Sequence, residues 1–241
     1  SLWPMHSLRV MVTGASRGIG CGIALQLAHH GCAVGALARS EDQLEALQHQ
    51  IEGAGQRCAV AAADLREPAA VERGIGQLCE ALGGVDALIN NAGAVIRKDA
   101  FTLSLDEWHT MIETNVNGLF YATRAVLGPM REQGHGHIIN VSSISGKLPL
   151  AGGSGYAASK YACTGFSQSL FLEARPHGIK VTTIFPGSVD SGSHRHDAQA
   201  DHSWKVRPEE VGRVCWDVLN TRRENLIAEV EIRPLIRPSG A

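Results

Sequence analysis

The sequence has few features that would tie it to a membrane or to nucleic acid. No apolar run approaches the roughly 18 residues that span a bilayer, and residues 1–7 lack the charged-then-apolar layout of a signal peptide. The 22 Lys and Arg against 24 Asp and Glu leave a formal net charge of −2. Because the basic residues are also scattered, nothing favours a nucleic-acid or anionic-membrane surface. We therefore expect a cytoplasmic protein that has neither as a partner.

Cysteine pairs and metal-ligand spacings are also missing. The six cysteines stand singly, without a Cys-x-x-Cys pair, so we expect reduced thiols rather than a disulfide framework. Eleven histidines are present, with His135 and His137 close together and His194 and His196 in a polar stretch. Neither pair has the carboxylate or thiol neighbours of a closed metal site, and no metal is predicted.

What is present is a regular alternation of short apolar runs with longer helical patterns. A chain of 241 residues, 44% of them hydrophobic, suffices for the core of one large α/β domain. The predicted strands are 8–13, 33–38, 57–62, 86–90, 137–142, 179–185 and 226–230. The predicted helices are 18–30, 41–53, 67–82, 104–132, 155–175 and 208–220.

Most of these strands are apolar on both faces, which is typical of a sheet covered by helices on both sides. The alternation predicts a Rossmann-type, doubly wound fold with a seven-stranded, mainly parallel sheet. We assign residues 8–241 to this single domain. We expect residues 1–7 to be an extension, and residues 1 and 2 to be a cloning remnant, since a natural chain normally begins with Met. The irregular stretch at 187–207 is predicted to be a mobile lid over a substrate.

Two helix starts carry local signals. Ser40 and Gln43 have the spacing of a capping box, and Pro208 stands where a first-turn proline is tolerated.

A glycine-rich turn follows the first predicted strand. In 13–20, TGASRGIG, the glycines would let backbone approach a pyrophosphate, and the next helix offers free N–H groups at its start. The spacing G-x-x-x-G-x-G differs from the G-x-G-x-x-G fingerprint. Alone, such a turn is either a dinucleotide site or a plain tight turn.

Charge at the end of the second strand distinguishes the possible dinucleotides. An acid there would bind the ribose 2′-OH of NAD, whereas Arg accommodates the 2′-phosphate of NADP. This strand ends in Arg39, with no acid before Glu41, and Arg17 supplies a second cation. The alternative is that both arginines are solvated surface residues. We predict NADP(H), with NAD(H) second.

Tyr156 and Lys160 lie four residues apart at the start of a predicted helix, so they share one face. A nearby cation favours the ionised form of a tyrosine and so suits it for proton transfer to or from an alcohol. Ser143 closes the fifth strand, at the sheet edge where ligands bind, and its hydroxyl would hold a substrate oxygen. The alternative is that the Tyr-Lys spacing occurs by chance. Tyr156 would then be a half-buried residue beside a surface Lys, and Ser143 an ordinary turn residue.

The motifs occur in one order that resembles the short-chain dehydrogenase/reductase family, in its ordinary single-domain branch. The matching segments are TGASRGIG at 13–20, Asp64-Leu65, NNAG at 90–93, Asn115 in ETNVNG, VSS at 141–143, YAASK at 156–160 and PGSVDS at 186–191. The likeness covers nearly the whole chain. Within this family, the sequence is similar to 3-oxoacyl-[acyl-carrier-protein] reductases and to short-loop NADP-dependent hydroxy acid and carbonyl reductases.

The resemblance implies a catalytic tetrad of Asn115, Ser143, Tyr156 and Lys160, with Asn115 holding a water. Tyr156 and Lys160 would also contact the cofactor. The other implied cofactor contacts fall into four groups: Gly14, Ser16, Gly18, Ile19 and Gly20 at the pyrophosphate; Arg17 and Arg39 at the 2′-phosphate; Asp64, Leu65, Asn91, Ala92 and Gly93 along the adenosine; and Pro186, Gly187, Val189 and Ser191 at the nicotinamide. The family usually has Thr at the position of Ser191, and the serine keeps the hydroxyl group.

The predicted function is hydride transfer between NADP(H) and a small carbonyl or alcohol substrate, either a 3-oxoacyl thioester or a small hydroxy acid or ketone. The alternative is a regulatory protein that senses NADPH without chemistry, and nucleotide-sugar epimerase or dehydratase chemistry ranks lower. Helices 104–132 and 155–175 carry more apolar residues than one buried face needs, at Leu119, Phe120, Phe166, Leu170 and Phe171. In the family that the sequence resembles, such helices pair between subunits, so the resemblance implies a homotetramer, or a homodimer; the alternative is a thick core.

Overall fold

A computed structural model describes residues 7–192 and 201–236. The predicted extension therefore lies almost wholly outside the described residues. Seven strands form one sheet: β1 (Arg9–Thr13), β2 (Ala33–Ala38), β3 (Cys58–Ala62), β4 (Ala87–Asn90), β5 (Gly136–Val141), β6 (Ile179–Pro186) and β7 (Glu229–Ile232). Their order is β3-β2-β1-β4-β5-β6-β7. Every neighbouring pair is parallel, so the predicted architecture is confirmed.

At least one helix connects each strand to the next. The helices are α1 (Gly18–His29), α2 (Glu41–Gly53), α3 (Pro68–Leu82), α4 (Leu105–Ile112), α5 (Gly118–Gln133), α6 (Ser154–Ala174) and α7 (Pro208–Leu219). The single helix predicted at 104–132 is interrupted: a π-helical turn, Glu113–Asn117, separates α4 from α5. No helix among the described residues is long and apolar enough to cross a membrane.

The core has two layers, one on each face of the sheet. Val10 and Val12 of β1 face a cluster that also contains residues of α1, α2 and α7. Met11, between them, faces the other cluster, which contains residues of α3, α5 and α6. Alternate side chains of a strand point to opposite faces, so both faces of these strands must be apolar. This explains why the strands appear as continuous apolar runs in the sequence.

Local signals set the helix starts, with one correction. Pro208 does occupy the first turn of α7. Ser40 is the N-cap of α2, but its side chain makes no capping hydrogen bond, so the predicted capping box with Gln43 is wrong. Two acids in the first turn, Glu41 and Asp42, favour the helix start instead. A capping box does occur at α4, where Ser104 and Glu107 bond reciprocally.

The last strand is displaced from its prediction. The predicted strand covers 226–230, but residues 226–228 precede β7, which begins at Glu229. There the strand pairs with β6, Glu229 opposite Thr183 and Ile232 opposite Pro186. As an edge strand it alternates exposed and half-buried residues, a pattern unlike that of the central strands.

Helices α1 and α7 cross at two glycines. A Cβ on Gly22 would lie 2.5 Å from the Pro208 side chain and 2.7 Å from its carbonyl carbon, and a Cβ on Gly212 would lie 2.8 Å from the Gly22 oxygen. Only hydrogen in place of a side chain permits this approach. The contact brings the start of α7 to the side of α1, whose N-terminus belongs to the candidate site described below.

The predicted lid at 187–207 is described only at its two ends. These ends meet: Asp190 N–H donates to Val206 at 2.9 Å, and Val206 N–H donates to Ser188 at 3.0 Å. Residues 193–200, with His194 and His196, lie outside the described residues.

Candidate cofactor and catalytic site

The predicted site residues follow the carboxyl ends of six strands and so meet at one edge of the sheet. Between β1 and β4 the connections diverge to opposite sides, β1 leading towards β2 and β4 towards β5. Ligands of doubly wound folds bind in the crevice at such a point. The glycine-rich turn follows β1 and the NNAG segment follows β4, so both flank this crevice.

The glycine-rich turn is shaped by backbone that side chains would obstruct. Gly14 and Gly18 have φ of 65° and 56°, a region that L-residues rarely adopt. A Cβ on Gly20 would overlap the Gly14 carbonyl oxygen. The N-cap of α1 is Arg17, which makes no side-chain capping bond, so the first N–H groups of the helix are left for an anion.

Thr13 ties this turn to the NNAG segment. Its buried hydroxyl oxygen accepts from the N–H groups of Asn91 at 3.1 Å and Ala92 at 3.2 Å. The Asn91 amide donates back to the Thr13 carbonyl oxygen at 3.2 Å. A Cβ on Gly14 would lie 2.7 Å from the Ala92 Cα, so the two segments are in close backbone contact.

The predicted phosphate-binding arginines are both on the surface. Arg17 and Arg39 are exposed, and neither has an ion pair among the described residues. Asp64, by contrast, is paired with Arg66, whose Nη2 donates to Oδ2 at 2.6 Å. Hydrogen bonds from Arg66, with a smaller Coulomb contribution from Arg39, hold the pKa of Asp64 below its usual value. Leu65 points into the core.

Tyr156 and Lys160 lie on one face of α6, as predicted, and both are buried. Lys160 Nζ is 5.9 Å from the centre of the Tyr156 ring and donates to the Val141 carbonyl oxygen at 3.0 Å. A Cβ on Gly93 would lie 3.7 Å from Lys160 Nζ and 3.4 Å from Asn115 Oδ1. Gly93 therefore leaves open the space beside both side chains.

Asn115 lies in the middle of the π-helical turn and is buried. Its Oδ1 accepts from the Ala94 N–H at 2.7 Å, and its Nδ2 donates to the Ala94 carbonyl at 2.8 Å and to Ser159 Oγ at 2.9 Å. The amide thus joins the chain after NNAG to α6. Oδ1 accepts one bond and so keeps a lone pair for a further donor, such as the predicted water.

The two serines at the end of β5 have different surroundings. Ser142 is buried, and its hydroxyl donates to the Lys160 carbonyl at 3.2 Å. Ser143 is half-buried, and its Oγ accepts from the Ser145 N–H at 3.1 Å. Accepting one bond leaves the Ser143 hydroxyl its proton for another oxygen. Ser143 is accordingly the serine that can meet a ligand.

The predicted nicotinamide segment lies against the glycine-rich turn. Pro186 ends β6, and the Gly187 N–H donates to the Ile232 carbonyl at 2.8 Å. The Ser191 carbonyl oxygen is 3.0 Å from where a Cβ on Gly18 would stand. Val189 is buried. Segments that follow β1 and β6 are thus in contact across the sheet edge.

Three residues of this region were missed by sequence reasoning: Thr13, Ser159 and Arg66. Thr13 and Ser159 act through contacts with residues 78 and 44 positions away, which no local pattern reveals. Arg66 had a signal, since an Arg two residues after an acid at a strand end can return to it.

Among residues 7–192 and 201–236, no three His, Cys, Asp or Glu side chains are grouped to hold a metal ion. His137 is instead a buried residue of β5 whose Nε2 bonds to Thr182 Oγ at 2.8 Å. The six cysteines form no disulfide in the structure. Burial raises the pKa of Cys32, Cys58 and Cys215 to about 12, which makes them unreactive.

Comparison with known proteins gives the family. Residues 9–202 match the sequence profile of the short chain dehydrogenases. The chain belongs to the short-chain dehydrogenase family. It is 34% identical over 237 residues to the NADP-dependent 3-hydroxy acid dehydrogenase YdfG of Escherichia coli, covering 94% of each chain.

Solved short-chain dehydrogenase structures superpose over almost the whole chain. An alcohol dehydrogenase from the archaeon Thermococcus sibiricus, complexed with 5-hydroxy-NADP, has a TM-score of 0.89 at 28% identity and covers 97% of this chain and 99% of its own. Serine dehydrogenase from Escherichia coli has a TM-score of 0.85 at 34% identity and covers 96% and 100%.

Proposed function

We propose that this protein is an NADP-dependent oxidoreductase that interconverts a carbonyl group and a secondary alcohol. The observation that carries the proposal is the grouping of Asn115, Lys160 and the neighbouring Tyr156 around the open space at Gly93, on the sheet edge that also bears the glycine-rich turn. Relatives that depend on NADP, or that are complexed with it or with its 5-hydroxy derivative, support the cofactor.

The residues present fit a dinucleotide phosphate. The uncapped start of α1 offers N–H donors to the pyrophosphate, and the bare backbone of Gly14, Gly18 and Gly20 lets it approach. Arg17 and Arg39 would hold the 2′-phosphate, since both are exposed and unpaired among the described side chains. Asp64, the main chain of Leu65 and the NNAG backbone would lie along the adenosine, and the 186–191 segment along the nicotinamide.

The bound nicotinamide would supply or accept the hydride. Ser143 would donate a hydrogen bond from its hydroxyl to the substrate oxygen, keeping its proton, and so stabilise charge that develops there. Tyr156 would give its phenolic proton to that oxygen in reduction and take it back in oxidation. Lys160, held by the Val141 carbonyl, would stabilise the tyrosinate by its charge. Asn115 would keep the segment after NNAG in place against α6.

For the substrate we propose a small hydroxy acid or the corresponding oxo acid. The support is the likeness to 3-hydroxy acid dehydrogenases that are 34% identical over 94% of the chain, together with the likeness to the serine dehydrogenase structure. Oxidation of short 3-hydroxy acids with NADP+, followed at 340 nm, would test this against 3-oxoacyl thioesters with NADPH. Preference for the thioesters would overturn the proposed substrate class while leaving the reaction type.

The first experiment is a fluorescence titration with NADPH and NADH in parallel. We expect tight NADPH and weak NADH binding, and loss of the preference when Arg17 and Arg39 are both changed to Ala. Arg131→Ala, an exposed Arg at the far end of α5, is the matched control and should bind like the parent. Equal binding of both cofactors by the parent would mean that the two arginines are surface residues that do not bind the 2′-phosphate. Binding of neither cofactor would overturn the proposal.

We further propose a homotetramer, or a homodimer, that pairs through α5 and α6. Of the five apolar residues on which the prediction stood, Leu119 and Leu170 are buried in this chain, whereas Phe120 is 45% exposed. Tyr161 and Leu172 of α6 are 46% and 61% exposed, so an apolar surface remains for a partner copy. A monomeric mass by light scattering at micromolar protein would overturn this. The six reduced thiols support a cytoplasmic location.

A further inference from the structure

Arg66 is a cation to which the proposed function assigns no role, yet it holds both oxygens of Asp64. Its Nε lies 3.1 Å from Oδ1 and 3.1 Å from Oδ2, and its Nη2 donates to Oδ2 at 2.6 Å. Its main-chain N–H also donates to Oδ1 at 3.0 Å. The carboxylate is therefore fixed in orientation by a single neighbouring residue.

A second cation stands beside the same carboxylate. Strands β2 and β3 pair with Ala38 opposite Ala62, and the Ala63 N–H donates to the Ala38 carbonyl at 2.9 Å. Arg39 and Asp64 therefore leave neighbouring strands at the same edge. The Arg39 charge contributes to the lowered pKa of Asp64, but no hydrogen bond or ion pair joins the two among the described contacts.

The surroundings of Arg66 are otherwise acidic. Besides Asp64, the charges of Glu67 and Glu113 raise the pKa of Arg66. Without the Arg66 cation, the Asp64 carboxylate would lose its bonded partner and keep only the Arg39 charge beside it. A carboxylate so released would pair with Arg39 and would also repel a phosphate group placed there.

We propose that Arg66 sets the preference for NADP(H) indirectly, by holding Asp64 away from Arg39 so that the Arg39 guanidinium is available to the 2′-phosphate. The inference rests on the proposed cofactor site. It makes Arg66 a specificity-determining residue that need not touch the cofactor. NAD(H) carries a neutral hydroxyl at the same position, so its binding depends far less on the state of Arg39.

The test is a double-mutant cycle read by binding, not by turnover. NADPH and NADH are titrated by fluorescence into the parent, Arg66→Ala, Asp64→Asn and the double variant, with Arg131→Ala as the matched control. We expect Arg66→Ala to weaken NADPH binding roughly tenfold and NADH binding less than about twofold. In the Asp64→Asn background, where no carboxylate competes, Arg66→Ala should change NADPH binding less than about twofold.

Three results would overturn the inference. An equal loss for NADPH and NADH would mean that Arg66 supports the part of the cofactor common to both. An equal loss of NADPH binding in both backgrounds would mean that Arg66 binds the phosphate itself. No loss in either would make the Arg66–Asp64 pair a surface ion pair only. Failure of the proposed function is read separately, from a parent protein that binds neither cofactor.

Discussion

Lys160 and Val141 join the catalytic helix to the central sheet: the Lys160 ammonium donates to the Val141 carbonyl oxygen at 3.0 Å. Val141 is the last residue of β5, two positions before Ser143. The bond thus holds the ammonium on α6 at the end of the strand that carries Ser143. It places the charge by a backbone contact that no neighbouring side-chain substitution removes.

The first prediction concerns Tyr156. Tyr156→Phe removes the phenolic proton and leaves the ring, so turnover should fall at least about a hundredfold while NADPH binding stays within about twofold. Tyr161→Phe is the matched control, because Tyr161 lies on the same helix with 46% of its surface exposed. Steady-state kinetics and fluorescence titration check both. Undiminished turnover in Tyr156→Phe would show that another group donates the proton, whereas a parent protein that binds NADPH but turns over no carbonyl or alcohol substrate would favour the NADPH-sensing alternative.

The second prediction concerns Asn115. Asn115→Ala leaves the Ala94 N–H and carbonyl without the partners they have now, and we expect a loss of about 1–3 kcal/mol in the free energy of unfolding. Turnover should fall as well, because the segment after NNAG loses its tie to α6. Urea denaturation and kinetics are the measurements. Asn117→Ala, which breaks one part-buried bond to Glu113 within the same turn, should cost less; an equal loss would refute the special role of Asn115.

The third prediction separates two helical glycines. Gly22→Ala would place a Cβ 2.7 Å from the Pro208 carbonyl carbon, and forcing α1 from α7 should cost about 1–3 kcal/mol of stability. Gly76→Ala, in α3, meets nothing within 4 Å, so it should gain about 0.5–1 kcal/mol from helix propensity. Denaturant midpoints compare the two variants with the parent. If Gly22→Ala is more stable than the parent, α1 and α7 can move apart to accommodate the Cβ at little cost in free energy.

The fourth prediction is a pH dependence from His137. The Thr182 hydroxyl donates to the Ile227 carbonyl at 2.6 Å, so it accepts from His137 Nε2–H, and Nδ1 has no partner among the described residues. Burial, with a smaller contribution from the Lys180 charge, lowers the pKa of His137 to about 3. Below about pH 6.5, the ordinary pKa of a histidine, the unfolded chain binds a proton at this ring and the folded chain does not. The contribution of His137 to the free energy of unfolding is therefore fully present above about pH 6.5 and is lost as the pH falls towards 3.

Between pH 6 and pH 4, this one group should contribute a loss of about 1.4 kcal/mol per pH unit. His137→Gln removes the titrating ring, so its unfolding free energy should fall with a correspondingly smaller slope. Equal slopes in the two proteins would show that His137 is protonated in the folded chain without unfolding it.

Much of the fold was predictable because the strands are covered on both faces. The central strands, such as β2 with every residue buried, appear as unbroken apolar runs, and the first six were located within one residue at each end. β7 was displaced because an edge strand takes its bounds from hydrogen bonds to β6, not from its own hydrophobicity. The cap at Ser40 failed for a related reason: spacing permits the bond, but the local conformation decides whether it forms.

The candidate site was predictable as a set of positions but not as a set of contacts. Parallel strand ends meet at one edge, so motifs after each strand had to come together there. Sequence analysis named Ser143 from its place after the fifth strand, but it could not show that Ser142 is tied to α6 by its hydroxyl, because that difference arises from tertiary contacts. The spacing of Asp64 and Arg66 permits their contact, but the orientation of one turn decides whether it forms.

The π-helical turn at Glu113–Asn117 makes chain length, as well as residue type, a determinant of this site. Such a turn holds one residue more than an α-helical turn of the same path, and removing that residue would rotate the two flanking helices by about 100° relative to each other. Asn115 would then point elsewhere although every remaining side chain was retained. A one-residue deletion in this stretch is accordingly a different kind of change from any substitution in it. Alignments of related chains should keep this stretch free of gaps before residues at position 115 are compared.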